Sequence, residues 1–101
     1  MEQKAMKSRK NRIDLLEEAS NLTNGDRLKD YGDPVTNHQH IADIFNAITG
    51  HDLTAREIVL VHEATKLARR QRSPKKIDHY VDNMAYVGIE YECAMAEEYG
   101  E

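Results

Sequence analysis

Ile77-Asp78-His79-Tyr80-Val81-Asp82-Asn83-Met84-Ala85-Tyr86-Val87-Gly88-Ile89-Glu90-Tyr91-Glu92-Cys93-Ala94-Met95 is the stretch whose reading decides the fold. Ile77, Val81, Met84, Gly88, Tyr91 and Met95 follow one another in steps of four and three, a heptad-like seam along one helix. Gly88 in mid-seam weakens the helix by about 1 kcal/mol against Ala. The seam therefore predicts a neighbouring helix that comes close there. Ala85, Val87 and Ile89 form a second apolar set outside the seam. A four-helix monomer covers one broad stripe and not several faces, so this second set predicts a homo-oligomer.

The same periodicity extends towards the N-terminus. Thr54-Ala55-Arg56-Glu57 is a capping box. It opens a helix with an apolar stripe of Leu60, Val61, Ala64, Leu67 and Ala68, which stops near Ser73-Pro74. Asp33-Pro34 opens another, with Asp as N-cap and Pro in the first turn. Its apolar face is Ile41, Ala42, Phe45 and Ile48, and Gly50 ends it. From about residue 8 to 23, Ile13, Leu16 and Ala19 recur beside Leu15 and Leu22 until Asn24-Gly25 breaks the pattern. No segment alternates like a strand, and the connections are short. The expectation is an all-α bundle of about four helices, a single domain over residues 1–101, with residues 1–8 polar and frayed.

Composition narrows the function classes. The 101 residues carry one cysteine, Cys93, so neither an intrachain disulfide nor a cysteine-based zinc site is available. No apolar run reaches the roughly 18 residues of a membrane span, and Met1-Glu2-Gln3-Lys4 is not the start of an apolar leader. These features point to the cytoplasm. Net charge is −4, but it falls in blocks. Residues 1–12 hold five cations and one acid, and residues 65–77 hold six cations and no acid. Residues 13–64 and 78–101 are each −7. Overall acidity argues against a nucleic-acid coat, while the basic blocks leave local attraction for phosphate.

Arg27-Leu28-Lys29-Asp30-Tyr31-Gly32-Asp33-Pro34-Val35-Thr36-Asn37-His38 carries more polar groups than a helix connector needs. Asn37 and His38 fall in the first turns of the following helix, near its free N–H groups, where anions are favoured. Lys66 and Arg69 share a helix face and suit a phosphate. Asp78 and Asp82 lie four apart, and two carboxylates on one face invite Mg²⁺, a basic partner such as Lys66 or Arg69, or plain water. His38-x-His40 points to two helix faces, which argues against a shared metal. Cys93 sits in an acidic stretch and is poorly activated as a nucleophile. No P-loop, dinucleotide fingerprint, HExxH or serine triad order is present, so no catalytic residue is assigned.

Arg27-x3-Tyr31-Gly32-Asp33-Pro34-x2-Asn37-His38-x2-Ile41-Ala42, then Lys66-Leu67-Ala68-Arg69, then Asp78-x3-Asp82-x3-Tyr86, resembles a small domain family of phage and prophage proteins of unknown function. The resemblance covers roughly residues 13–92. The overall pattern also looks like the all-α, MazG-like NTP pyrophosphohydrolases. Those enzymes hold Mg²⁺ on helix-borne carboxylates and cut a nucleoside triphosphate to monophosphate and pyrophosphate. Their carboxylate steps, Glu-x2-Glu and Glu-x2-Asp, are not reproduced: Glu17 and Glu18 are adjacent, Glu63 stands alone, and Asp78 and Asp82 are four apart.

The resemblance implies a phage or prophage accessory protein that binds a nucleotide or nucleotide-derived signal on such a scaffold, with turnover left open. Arg27, Tyr31, Asp33, Asn37 and His38 would shape the pocket mouth. Lys66 and Arg69 would neutralise phosphate, and Asp78 and Asp82 would hold Mg²⁺ or ligand. The alternatives are an active Mg²⁺-dependent pyrophosphohydrolase and an inhibitor that grips a host protein.

Overall fold

The structure, a computed structural model, describes residues 9–99, apart from the side chains of Asp26, Arg27 and Tyr99. The expectation of a frayed segment at residues 1–8 lies outside the described residues. Five helices pack together, and no strand occurs among the described residues: α1 Arg12–Leu22, α2 Asp26–Tyr31, α3 Pro34–Thr49, α4 Ala55–Arg72 and α5 Ile77–Tyr99.

Local chemistry sets most of the boundaries. Asn11 caps α1, its side chain accepting from the amides of Ile13 and Asp14, while the Asp14 carboxylate accepts the Asn11 amide. Asp33 caps α3 by accepting from the Thr36 amide at 3.0 Å. The Thr54–Glu57 box opens α4 as the sequence implies. Asn46 pins the turn between α3 and α4 with two bonds of 2.9 Å to the backbone of Leu53.

The fifth helix is a correction to the four expected. Asn24-Gly25 and Gly32-Asp33-Pro34 punctuate the segment strongly enough to suggest a loop between them. Yet nothing in Asp26–Tyr31 breaks a helix, and one short helix fits between the two turns. Both flanking glycines have positive φ, 63° at Gly25 and 74° at Gly32, a region that disfavours other residues.

Packing corrects the reading of the helix faces. Against α4 and α1, α5 buries Val81, Ala85, Ile89 and Cys93, a strict four-residue row. Of the expected seam, Ile77, Gly88 and Tyr91 are exposed, and a Cβ at Gly88 would meet nothing within 4 Å. The glycine therefore serves no close helix approach among the described residues. On α4 the inward residues are Ala55, Ile58 and Val59, followed by half-buried His62, Glu63, Lys66 and Arg70. The stripe of Leu60, Val61, Ala64, Leu67 and Ala68 faces outward. On α3, Ala42 is fully buried and Ile41 half-buried, but Phe45 lies near the surface and Ile48 is 78% exposed. On α1, Leu15, Ala19 and Leu22 point inward while Ile13 and Leu16 do not.

The core is accordingly two small clusters. One joins Ala55, Val59, Ile89 and Cys93, with Val35 and Tyr86 against them. The other joins Ala19, Val81 and Ala85, with Leu15, Leu22 and Met84. The molecule measures 56 × 29 × 24 Å, with a radius of gyration of 16.1 Å. A compact chain of this length has about 13 Å. No helix among the described residues is long and apolar enough to cross a membrane.

Candidate functional site

Polar residues turned inward on α4 leave room beside them. Between α2, the start of α3, α4 and α5 lies a cavity of about 540 Å³. That is a size that houses small molecules. Apolar side chains Leu22, Leu28, Ile41 and Ile89 line it, together with Tyr31, Asn37, His38, His62, Lys66, Asp82 and Tyr86.

His38 is the best-defined polar group there, only 6% exposed. Its Nδ1 lies 2.7 Å from the carbonyl oxygen of Pro34, one turn earlier on α3. A carbonyl only accepts, so Nδ1 must carry the proton, and in the neutral ring Nε2 is then an acceptor. Nε2 has no hydrogen-bond partner among the described residues. The ring meets His62 edge-on at 5.4 Å and Tyr86 edge-on at 6.5 Å, while His62 stacks on Tyr86 at 4.8 Å. Burial, then the proximity of His38 and Lys66, pushes the His62 pKa down, so this ring is neutral at pH 7.

Lys66 reaches across from α4 to α5, its Nζ 2.8 Å from Asp82 Oδ2, with both side chains mostly covered. The basic partner expected for this pair of carboxylates is found at Asp82, where it is Lys66. The cavity wall gains a cation and an anion together, and no surplus charge.

The sequence-derived site residues divide. Tyr31, Asn37, His38, Lys66 and Asp82, drawn from four elements, converge on the cavity. Asp33 does not line it: its carboxylate is engaged in capping α3, bonded to the amide and hydroxyl of Thr36. Arg69 and Asp78 are exposed and also outside the lining. Arg27 lies on α2, but its side chain is outside what is described. Asp78 and Asp82 gather no further ligand: among the described residues no group of three or more His, Cys, Asp or Glu is placed to hold a metal ion. Asp82 Oδ2 is engaged by Lys66 Nζ, and Asp78 is exposed.

Two cavity residues were not assigned to the site from the sequence. His62 precedes Lys66 by four and Tyr86 follows Asp82 by four, so each shares a face with a residue that had been singled out. That spacing is the signal that finds them.

A second polar seam runs between α4 and α5, outside the cavity lining. Arg56 Nε donates to Glu90 Oε2 at 2.9 Å, and Arg70 Nη1 donates to Asn83 Oδ1 at 2.9 Å. The Arg70 guanidinium also covers the Tyr80 ring, 5.0 Å from its centre. Burial, then a hydrogen bond to Glu90 and the Glu90 charge, pushes Glu63 up to about 7, with Arg56 opposing. Oε2 of Glu63 is buried and without a hydrogen-bond partner, and a proton on the Glu63 carboxyl can be donated to Glu90.

Comparison with known proteins places the chain. Residues 14–94 match the family described as Domain of unknown function (DUF6378). The chain is also similar to the Gene 55 protein of Mycobacterium phage L5, 31% identical over 78 residues, which is 76% of this chain and 50% of that protein. The chain thus spans about half the length of the curated relative it matches. No solved structure matches. With the family matched from residue 14 to 94 and a phage gene product as a relative, this chain is a member of the phage-associated domain family DUF6378.

Proposed function

We propose that the protein is a small-ligand binder, working in the host cytoplasm, whose cavity takes a nucleotide or nucleotide-derived signal without needing to turn it over. The observation that carries this reading is convergence. Tyr31, Asn37, His38, Lys66 and Asp82 come from separate parts of the chain and line one cavity. A mostly apolar wall with a few fixed polar groups is the usual make-up of a ligand pocket. The resemblance of the sequence pattern to MazG-like pyrophosphohydrolases suggests the ligand class. The thinned carboxylate set, with Asp82 held by Lys66 and Asp78 outside the cavity, supports binding over hydrolysis.

Calorimetric titration with the four deoxynucleoside mono- and triphosphates, with and without Mg²⁺, tests the reading. Ligand at about 100 times its dissociation constant adds roughly 2.7 kcal/mol and raises Tm. Lys66→Ala, which leaves the Asp82 carboxylate unmatched on the cavity wall, should remove most of that shift, and Arg69→Ala, outside the cavity, should not. Metal-dependent pyrophosphate release that is lost in Asp82→Asn would replace the binder with the pyrophosphohydrolase. Binding insensitive to chelator, without release, upholds the binder.

A second observation favours a protein partner on another surface. Leu60, Val61 and Leu67 of α4 are exposed together. The occupant we propose is a second copy of this chain, because the elongated monomer leaves that helix uncovered and the core small. A host protein on the same face is the alternative.

A further inference from the structure

We propose that the buried end of the cavity reads an N–H group on a planar, uncharged ring, with His38 Nε2 as the acceptor. The ligand's ring, and not its phosphate, would therefore sit deepest. This rests on the ligand-binding reading above and goes on to say which end of the ligand enters and what recognises it.

Three observations carry it. First, His38 is more than nine-tenths buried and lines the cavity, and its Nδ1 is committed to the Pro34 carbonyl at 2.7 Å. In the neutral ring that bond fixes the tautomer and leaves Nε2 as an acceptor with no partner among the described residues. Nε2 is not among the side-chain atoms shut off from solvent without a partner, so it opens on the cavity, where a ligand donor can bond it and a second acceptor is repelled. Second, the surroundings are aromatic: Tyr31, His62 and Tyr86 also line the cavity, with His62 and Tyr86 stacked at 4.8 Å. Such walls favour a flat ring. Third, the charges cancel. Lys66 and Asp82 are paired at 2.8 Å, and among the described residues no other Lys, Arg, Asp or Glu lines the cavity. Described charges that form one compensated pair favour an uncharged ring over a polyphosphate, whose desolvation is expensive. A nucleobase, with amino or imino N–H groups and no charge, meets all three conditions.

The test uses the full chain and three kinds of probe: the four deoxynucleoside monophosphates, their nucleosides, and 2-deoxyribose 5-phosphate. Titration calorimetry is run on wild type, His38→Phe, which keeps a flat ring without the acceptor, and His38→Gln, which can place an oxygen near the position of Nε2. Thermal unfolding confirms that each variant folds. The expected result is that a monophosphate and its nucleoside both bind and 2-deoxyribose 5-phosphate does not. His38→Phe weakens both at least tenfold, His38→Gln recovers part of the loss, and N-methylation of the ring donor weakens wild type as much as His38→Phe does. If 2-deoxyribose 5-phosphate binds as tightly as the monophosphate, or if His38→Phe binds like wild type, the ring-reading role is overturned while nucleotide binding stands. If no nucleotide or nucleoside binds at all, the ligand class itself falls, and this inference with it.

Discussion

Lys66 and Asp82 each cover a charge that the other makes tolerable. Their side chains are 17% and 28% exposed, so neither is well solvated alone. Asp82→Asn should leave the Lys66 ammonium half-buried and unmatched, lowering stability by about 1–2 kcal/mol. Lys66→Met combined with Asp82→Asn should cost less than the two single changes added together. A double-mutant cycle by denaturant unfolding reads that coupling, and strict additivity would mean the two do not interact. Glu63 supplies a pH test. Its carboxyl titrates near 7 in the folded chain against an ordinary 4.5, so between those values the folded state holds more protons than the unfolded one. Stability from this group therefore falls as pH rises from 4.5 to 7, and its full cost is present above 7. Glu63→Gln, neutral at every pH, should match wild type near pH 4.5. At pH 8 it should exceed it by about 1 kcal/mol, a few degrees in Tm, after allowance for solvent screening. A constant offset between the two Tm profiles would show that Glu63 is ionised throughout.

Among the helices, α5 offers the plainest experiment. A methyl group at position 88 meets nothing, so Gly88→Ala should gain helix propensity without a clash. The expected stabilisation is about 1 kcal/mol. A loss instead would mean that something packs on Gly88 in solution. The boundaries of α3 and α4 were legible because capping is local: Asp33-Pro34, Thr54 with Glu57, and Gly50 act within one turn of themselves. The faces were less legible. Apolar periodicity finds Leu60, Val61, Ala64, Leu67 and Ala68, yet α4 turns His62, Glu63, Lys66 and Arg70 inward. Each of the three charged ones finds a partner on α5, at Glu90, Asp82 and Asn83, and a hydropathy pattern does not register polar groups matched across helices. The cavity was half legible for the same reason. Lys66, Asp82, Tyr31, Asn37 and His38 stand out by type, whereas Arg69 and Asp78 share those types and differ only in which way their turn of helix faces.

Taken whole, the chain exposes large apolar side chains on each of its five described helices, Leu16 on α1, Ile48 on α3 and Val61 on α4 among them. Two copies joined through α4 would bury more than about 1,000 Å² if the contact is a stable one. Light scattering at tens of micromolar should give twice the mass of 11.6 kDa or more. Leu60→Lys with Leu67→Lys should return it to one chain, and a strict monomer in the unmodified protein would sink the association. The buried thiol offers a last, different use of the fold. Cys93 is 1% exposed, and burial followed by the Glu97 and Glu92 charges pushes it up to about 11. A disulfide reagent needs both access and thiolate, and the folded chain supplies neither. Modification must wait for α5 to part from its neighbours, so the labelling rate becomes a clock for that opening. The chain's lone sulfhydryl is thereby a native reporter of breathing, one that any ligand tightening the bundle would slow.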